Sequence, residues 1–173
     1  SIVRTSSPSC MPAIAAGENV FAFAYAEPQG RYNLADLVTT AAKSGNGFTL
    51  NGYKAVVSGA PWADKLIVTA RTSGSQRDAD GVTVFVVDKN AKGVSTRDYP
   101  TVDGQRASEV TLENVTVGAD AVIGEVGGGL KIVEKVTDEA IAALSAEAIG
   151  AMKVLNDTTI EYSKTRKQFG TPI

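Results

Sequence analysis

Histidine is absent from this 173-residue sequence, and Cys10 is its only cysteine. A zinc site built from Cys and His is excluded by count, and so are Ser-His and Cys-His nucleophilic relays within the chain. A single cysteine forms no intrachain disulfide. Cationic excess is missing as well: 17 Lys and Arg stand against 19 Asp and Glu, a formal charge of -2 with a pI near 5.2. Such a chain carries no positive field to draw a nucleic-acid backbone. Its one basic cluster, Lys164, Arg166 and Lys167, falls at the end of a predicted helix, where cations complement the dipole. No apolar run approaches the roughly 20 residues that span a bilayer, and the N-terminus lacks the basic and apolar parts of a signal peptide. These absences lead to the expectation of a cytoplasmic chain with no membrane span, no metal and no nucleic-acid partner.

What remains is globular in composition, 43% hydrophobic and 21% charged. From Val20 to about Val117 short apolar or alternating runs are punctuated by turn residues, the pattern of an antiparallel β-domain. The predicted strands are Phe21 to Ala26, Leu37 to Lys43, Phe48 to Leu50, Tyr53 to Ser58, Leu66 to Arg71, Val82 to Val87, Val94 to Asp98 and Ser108 to Val115. Asn51-Gly52 predicts a two-residue hairpin turn, because both residues tolerate positive φ. Ser73 to Asp80 is polar and reads as an exposed hairpin loop, with Asp78 and Asp80 solvated. Many short strands with tight turns suggest a barrel or sandwich.

The pattern changes after Gly124. The Gly127-Gly128-Gly129 run matches neither a Walker loop nor a dinucleotide fingerprint and reads as a connecting turn. Leu130, Val133, Val136, Ala140, Ile141, Leu144, Ala148, Met152 and Leu155 then recur at three- and four-residue spacing, an apolar stripe on a helix of residues 130 to 166. At 1.5 Å per residue that helix spans roughly 55 Å, more than the roughly 30 Å of a small β-domain. Its stripe therefore needs partners, either further bundle helices or another subunit. The fold class expected is α+β: an antiparallel β-barrel of two packed sheets followed by one long α-helix.

Four ordered segments carry a family resemblance: Phe23-Ala24-Tyr25-Ala26-Glu27-Pro28; Leu50-Asn51-Gly52-Tyr53-Lys54 with Val56-Val57-Ser58-Gly59 and Ala63-Asp64; Gly81 to Val87 with Gly104 to Ser108 and Glu113-Asn114-Val115; and Tyr162 through Arg166-Lys167-Gln168-Phe169-Gly170-Thr171-Pro172-Ile173. Together they resemble the acyl-CoA dehydrogenase family over about residues 15 to 173. Ala24 to Leu34 is most similar to the small-subunit branch associated with pimeloyl-CoA. The resemblance implies a remnant of a preceding helical domain or linker at 1–19, the middle β-domain at 20–124, and the start of a C-terminal helical bundle at 125–173. It also implies that the chain is a fragment, since a complete subunit of the family has a full bundle.

The family's chemistry removes a Cα proton with a carboxylate and passes a Cβ hydride to flavin N5. The resemblance places Phe23, Tyr25 and Ala26 along an FAD flavin, with amides near Ala26 at its pyrimidine edge. Ala26 stands where the family carries Thr. Ser58 takes the place of a Thr that bonds flavin N5, and Val56 that of an aromatic residue stacked on the ring. Arg31 and Tyr32 replace a Gly-Ser pair near the pyrophosphate and CoA arm, and Arg31 could pair with a phosphate or an acyl carboxylate. Arg166, Gln168 and Phe169 match a motif that reaches a neighbouring subunit's FAD. Ile141 occupies the position of a CoA-contacting Arg, beside Asp138 and Glu139. No residue of the chain matches the catalytic base.

The implied partners are an acyl-CoA substrate, an electron-transfer flavoprotein or similar acceptor, and further subunits, as a homo-oligomer or a large/small pair. Ordinary structural roles compete at each position. The Phe23 strand can be plain core, Ser58-Gly59 a turn, Arg31 a surface residue, and Arg166 to Pro172 a helix stop with Gly170 as the C-cap. A noncatalytic flavin-binding or scaffold subunit, assembling with an active partner, is the alternative function.

Overall fold

The computed structural model describes residues 10–173; residues 1–9, part of the expected 1–19 segment, lie outside the described residues. The chain divides into two compact units, Ser1–Val133 and Glu134–Ile173. In chain order the elements are α1 (Met11–Ala15), β1 (Phe21–Ala24), β2 (Thr40–Ser44), β3 (Gly47–Ser58), β4 (Lys65–Arg71), β5 (Val82–Asp88), β6 (Val94–Pro100), β7 (Arg106–Gly118), β8 (Val122–Ile123), α2 (Leu130–Thr165), β9 (Lys167–Gln168) and β10 (Thr171–Pro172).

The first unit is built on one eight-stranded sheet of order β6-β7-β3-β2-β4-β5-β8, with β1 also on β4. The expected barrel of two packed antiparallel sheets is corrected on two counts. The sheet does not close, because its ends β6 and β8 do not pair; β6 is largely exposed and ends in Pro100, and β8 has only two residues, which suits edges. The sheet is also partly parallel. β1 runs parallel to β4 from Phe21↔Lys65 to Ala24↔Val68, and Thr40 of β2 pairs parallel with Arg71. Parallel pairing needs a crossover connection, and here the β2–β3 hairpin lies within it. Local patterning shows where strands are but not which neighbour each one takes.

The two arms of the sheet nevertheless share one core. Leu50, Val57, Val110, Leu112 and Val115 from one arm join Leu66, Val68, Phe85 and Val87 from the other, and Phe48 meets Phe85 edge-on at 5.2 Å between ring centres. β5 is buried over Val82 to Phe85, as a β-branched run covered on both faces should be.

The hairpin turn expected at Asn51-Gly52 lies instead at Gly45-Asn46, between Ser44 and Gly47, with Gly45 at φ 57. Phe48 to Leu50 and Tyr53 to Ser58 are therefore one strand. Asn51 Oδ1 accepts the Asn114 amide at 2.8 Å where β7 bulges. Gly52 is needed for a close approach: a Cβ there would lie 2.4 Å from Thr39 Oγ1 and 2.6 Å from Thr39 Cα.

The Ser73 to Asp80 loop does join β4 to β5 and is exposed. Its carbonyls turn inward onto the buried Arg71 guanidinium, which donates to Ser73, Gln76, Asp78 and Asp80 at 3.0–3.3 Å and to Ala35 at 2.7 Å. The glycine run is a connector whose amides are used internally: Gly127 N–H donates to Thr83 Oγ1 at 2.8 Å, Gly128 to Glu125 and Gly129 to Val82.

In α2, Leu130 and Val133 are buried, and Val136, Ile141, Leu144, Met152 and Leu155 are exposed. No described helix is long and apolar enough to cross a membrane. The helix ends at Thr165, and Gly170 is not its C-cap. Phe169 and Gly170, both at positive φ (51° and 85°), form the turn of a small hairpin between β9 and β10, the two-residue arrangement that asks for positive φ twice.

Gly52→Ala is expected to destabilise the first unit by about 2–3 kcal/mol through this backbone clash, against about 1 kcal/mol for Gly45→Ala, which meets only its left-handed φ. Urea denaturation of the two variants gives the order, and a hairpin turn at Asn51-Gly52 would reverse it.

Candidate functional site

Beneath the end of β1 lies a buried ion pair. Lys54, at the centre of β3, is 0% exposed and its Nζ is 2.7 Å from Glu27 Oε1. Nζ also donates to Thr69 Oγ1 of β4 at 3.0 Å and lies 3.5 Å from the Tyr25 carbonyl. The Glu27 carboxylate accepts the amides of Val38 (2.7 Å) and Thr39 (3.2 Å) and the Gln29 side chain (2.8 Å). These amides are spent on Glu27, so the strand expected from Leu37 starts only at Thr40. Burial pulls the Lys54 ammonium down to about 8, although Glu27 opposes the shift. Burial pushes the Glu27 carboxyl up, but the Lys54 charge and the donated hydrogen bonds outweigh it and hold it below the usual range.

Above this pair the chain leaves β1 through Tyr25 and Ala26. The Phe23 and Tyr25 rings lie 4.8 Å apart, half-exposed and exposed respectively. Ala26 C=O accepts the Ala55 amide at 2.9 Å, which sets this segment beside β3 just before Val56. Among the described residues the Ala26 N–H has no hydrogen-bond partner. β3 bulges at this point: between Lys54↔Val110 and Val57↔Ser108, residues 55 and 56 oppose Glu109 alone. Val56 takes φ 52 and is 60% exposed, an unusual conformation for a β-branched residue. Glu109, opposite the bulge, accepts the Tyr53 hydroxyl and, at 2.8 Å, the Tyr99 hydroxyl on its carboxylate. Burial raises its carboxyl, and these donors together with Arg97 bring it below the usual range.

Phe23, Tyr25, Ala26 and Val56 are thus brought together by ring contact and main-chain bonding. Ser58, exposed, follows two residues later on β3 and precedes Gly59 at φ 73. Arg31, at φ 48, and Tyr32, 99% exposed, sit on the loop after Glu27-Pro28. Arg166, Gln168 and Phe169 belong to the other unit. There the Arg166 guanidinium lies over the Tyr162 ring at 5.6 Å and bonds its hydroxyl, and Phe169, 104% exposed, tips the small hairpin. Ile141, Asp138 and Glu139 are exposed on α2. Sequence reading assigned no role to Glu27, Lys54, Thr69 or Glu109. Lys54 and Glu27 were visible inside the two motifs, and a lysine in the middle of an otherwise apolar strand was the available signal.

Residues 22–115 match the acyl-CoA dehydrogenase middle domain. The chain belongs to the acyl-CoA dehydrogenase family. It is 32% identical over 182 residues to a mitochondrial isovaleryl-CoA dehydrogenase of Oryza sativa, covering 99% of this chain and 44% of that protein. It is 31% identical over 163 residues to the caffeyl-CoA reductase-Etf complex subunit CarC of Acetobacterium woodii, covering 92% and 43%. Among solved structures, the prolyl acyl carrier protein oxidase AnaB superposes with a TM-score of 0.86 at 32% identity, over 94% of this chain and 44% of that one. The chain thus spans less than half the length of the curated relatives it matches.

The buried pair has a pH signature. A lysine with a depressed folded pKa sheds its proton near pH 8, while the unfolded chain keeps it to about 10.5. The unfolded state then binds more protons, so stability rises with pH in that window. The chain is expected to gain up to about 3 kcal/mol there relative to the Lys54→Met/Glu27→Gln double variant; parallel denaturation curves at pH 7.5 and 10 measure it.

Proposed function

We propose that the chain is part of a longer FAD-dependent acyl-CoA dehydrogenase that oxidises an acyl-CoA thioester to the 2,3-enoyl-CoA. In this reading residues 1–19 end a preceding helical domain or linker, 20–124 form the middle domain and 125–173 begin a C-terminal helical domain. The observation that carries it is the family match over 22–115, within which the unpartnered Ala26 N–H follows the Phe23–Tyr25 ring pair and the Ala26 carbonyl bonds Ala55, next to the exposed Val56. That donor set fits a flavin, which is apolar on its faces and rich in acceptors along its pyrimidine edge.

FAD, when bound, would supply the two-electron acceptor for the substrate hydride. Phe23, Tyr25 and Val56 would line its ring, Ala26 N–H would donate to the pyrimidine edge, and the Ser58 hydroxyl would donate near N5. Arg166, Gln168 and Phe169 would hold the pyrophosphate and adenine of a neighbouring subunit's FAD, a guanidinium suiting a diphosphate and a ring an adenine. Arg31 and Tyr32 would meet the substrate, Arg31 pairing with a phosphate or a second acyl carboxylate. The base that takes the Cα proton is not assigned to this chain. An electron-transfer flavoprotein is the proposed acceptor, in keeping with the relative named as part of an Etf complex. The departures at Ala26, Val56, Arg31, Tyr32 and Ile141 favour a second reading, a noncatalytic flavin-binding or scaffold subunit.

Full-length protein separates the two. It is expected to purify with FAD and to be bleached anaerobically by an acyl-CoA; flavin that no acyl-CoA reduces favours the scaffold reading. Ser58→Ala is expected to slow reduction several-fold, about 1 kcal/mol, with FAD content nearly intact. Arg166→Ala is expected to lower the flavin-to-protein ratio first and activity only as a consequence.

The exposed stripe on α2 supports assembly into a homo-oligomer or a large/small pair. Leu144→Lys with Leu155→Lys is expected to reduce self-association of the 173-residue chain by at least tenfold in light scattering.

A further inference from the structure

The Tyr25–Ala26 peptide connects the buried ion pair to the candidate site. The described residues contain no cis peptide bond, so the Tyr25 carbonyl and the Ala26 N–H point in opposite directions across one planar unit. On the carbonyl side lie two donors from the core. Lys54 Nζ is 3.5 Å from Tyr25 O, and Thr69 Oγ1 is 3.4 Å from it. Thr69 Oγ1 in turn accepts from Lys54 at 3.0 Å, which leaves its own proton for the carbonyl. The negative end of the pair is directed elsewhere, because Glu27 is committed to the amides of Val38 and Thr39. The Tyr25 carbonyl therefore meets the positive end of a buried dipole, where water does not screen it. On the other side, the Ala26 N–H has no partner among the described residues.

We propose that Lys54, through Thr69 and the Tyr25–Ala26 peptide, is a positioning residue that polarises the Ala26 N–H toward the pyrimidine edge of bound flavin and so favours the reduced cofactor. The inference rests on the FAD reading above. Reduction by two electrons adds negative charge along that edge, and a peptide whose carbonyl is already bonded to a cation is a stronger donor to it. Lys54 touches neither flavin nor substrate in this scheme; it acts through a backbone amide.

The test is the flavin midpoint potential of the full-length holoprotein, measured by equilibrium redox titration without substrate. Lys54→Met with Glu27→Gln removes the charge without leaving a buried carboxylate unpaired. It is expected to weaken the preference for reduced over oxidised flavin about tenfold, a potential roughly 30 mV more negative for a two-electron couple. Thr69→Val keeps shape and charge, and is expected to shift the potential the same way by a smaller amount. A purely structural role for Lys54 would lower thermal stability or flavin content and leave the potential of the remaining holoprotein where it was. Wild-type potentials in Thr69→Val and in flavin-loaded double variant overturn the proposal and leave the FAD reading intact. Absence of flavin from the wild-type full-length protein overturns both.

Discussion

The Lys54–Glu27 pair is the contact on which the rest of the first unit depends. It gathers the loop after β1, the middle of β3, the side of β4 at Thr69 and the turn at Val38-Thr39 around one ammonium and one carboxylate. A buried charge without its partner costs roughly 3–5 kcal/mol, so these segments order together or not at all. The pair also explains the crossover between the parallel strands β1 and β4. The chain leaves β1 at Ala24 and is caught at Glu27; it returns to the sheet only at Thr40.

Arg71 does for the neighbouring loop what Lys54 does for this one. Thr69 and Arg71 are two apart on β4, so they share a face, and both are buried under irregular chain. The Ser73 to Asp80 loop has almost no apolar side chains with which to anchor itself. It is held by its own carbonyls on a guanidinium, whose planar fork serves several acceptors at once. The buried Asp36 joins the two loops, accepting Gln76 at 2.6 Å and Arg77 at 2.7 Å. Exposed side chains on a backbone anchored from below make this surface ordered without being apolar.

What the sequence made legible was the apolar periodicity. The strands Leu66 to Arg71 and Val82 to Val87 follow from their buried apolar residues, the strand Val94 to Asp98 and the helix from Leu130 from spacing and turn signals, and all four agree with the structure to within a residue or two. What it concealed was everything that depends on a distant partner. Asn51-Gly52 has the chemistry of a turn, but its Asn bonds Asn114 and its Gly admits Thr39; no local window contains either fact. Parallel pairing of β1 with β4, and the open edges at β6 and β8, are likewise relations between segments. Motif similarity brought attention to Ala26, Val56 and Ser58. The ion pair beneath them and the tyrosine hydroxyls gathered on Glu109 beside them are again relations between segments, since a lysine within an apolar strand signals its burial but not its partner.

The bulge at Val56 separates the direction of a side chain from its identity. The register shift opposite Glu109 sets the backbone at Val56, while the side chain stands clear of the core, which is sealed by Val57. A β-branched residue bears the most backbone strain at such a φ, so a residue without the branch bears no more than Val56 does. Exchange among valine, leucine or a large ring would remodel the exposed surface at little cost to the fold. This is a position at which descendants of one scaffold can diversify what they present, with the foundations undisturbed.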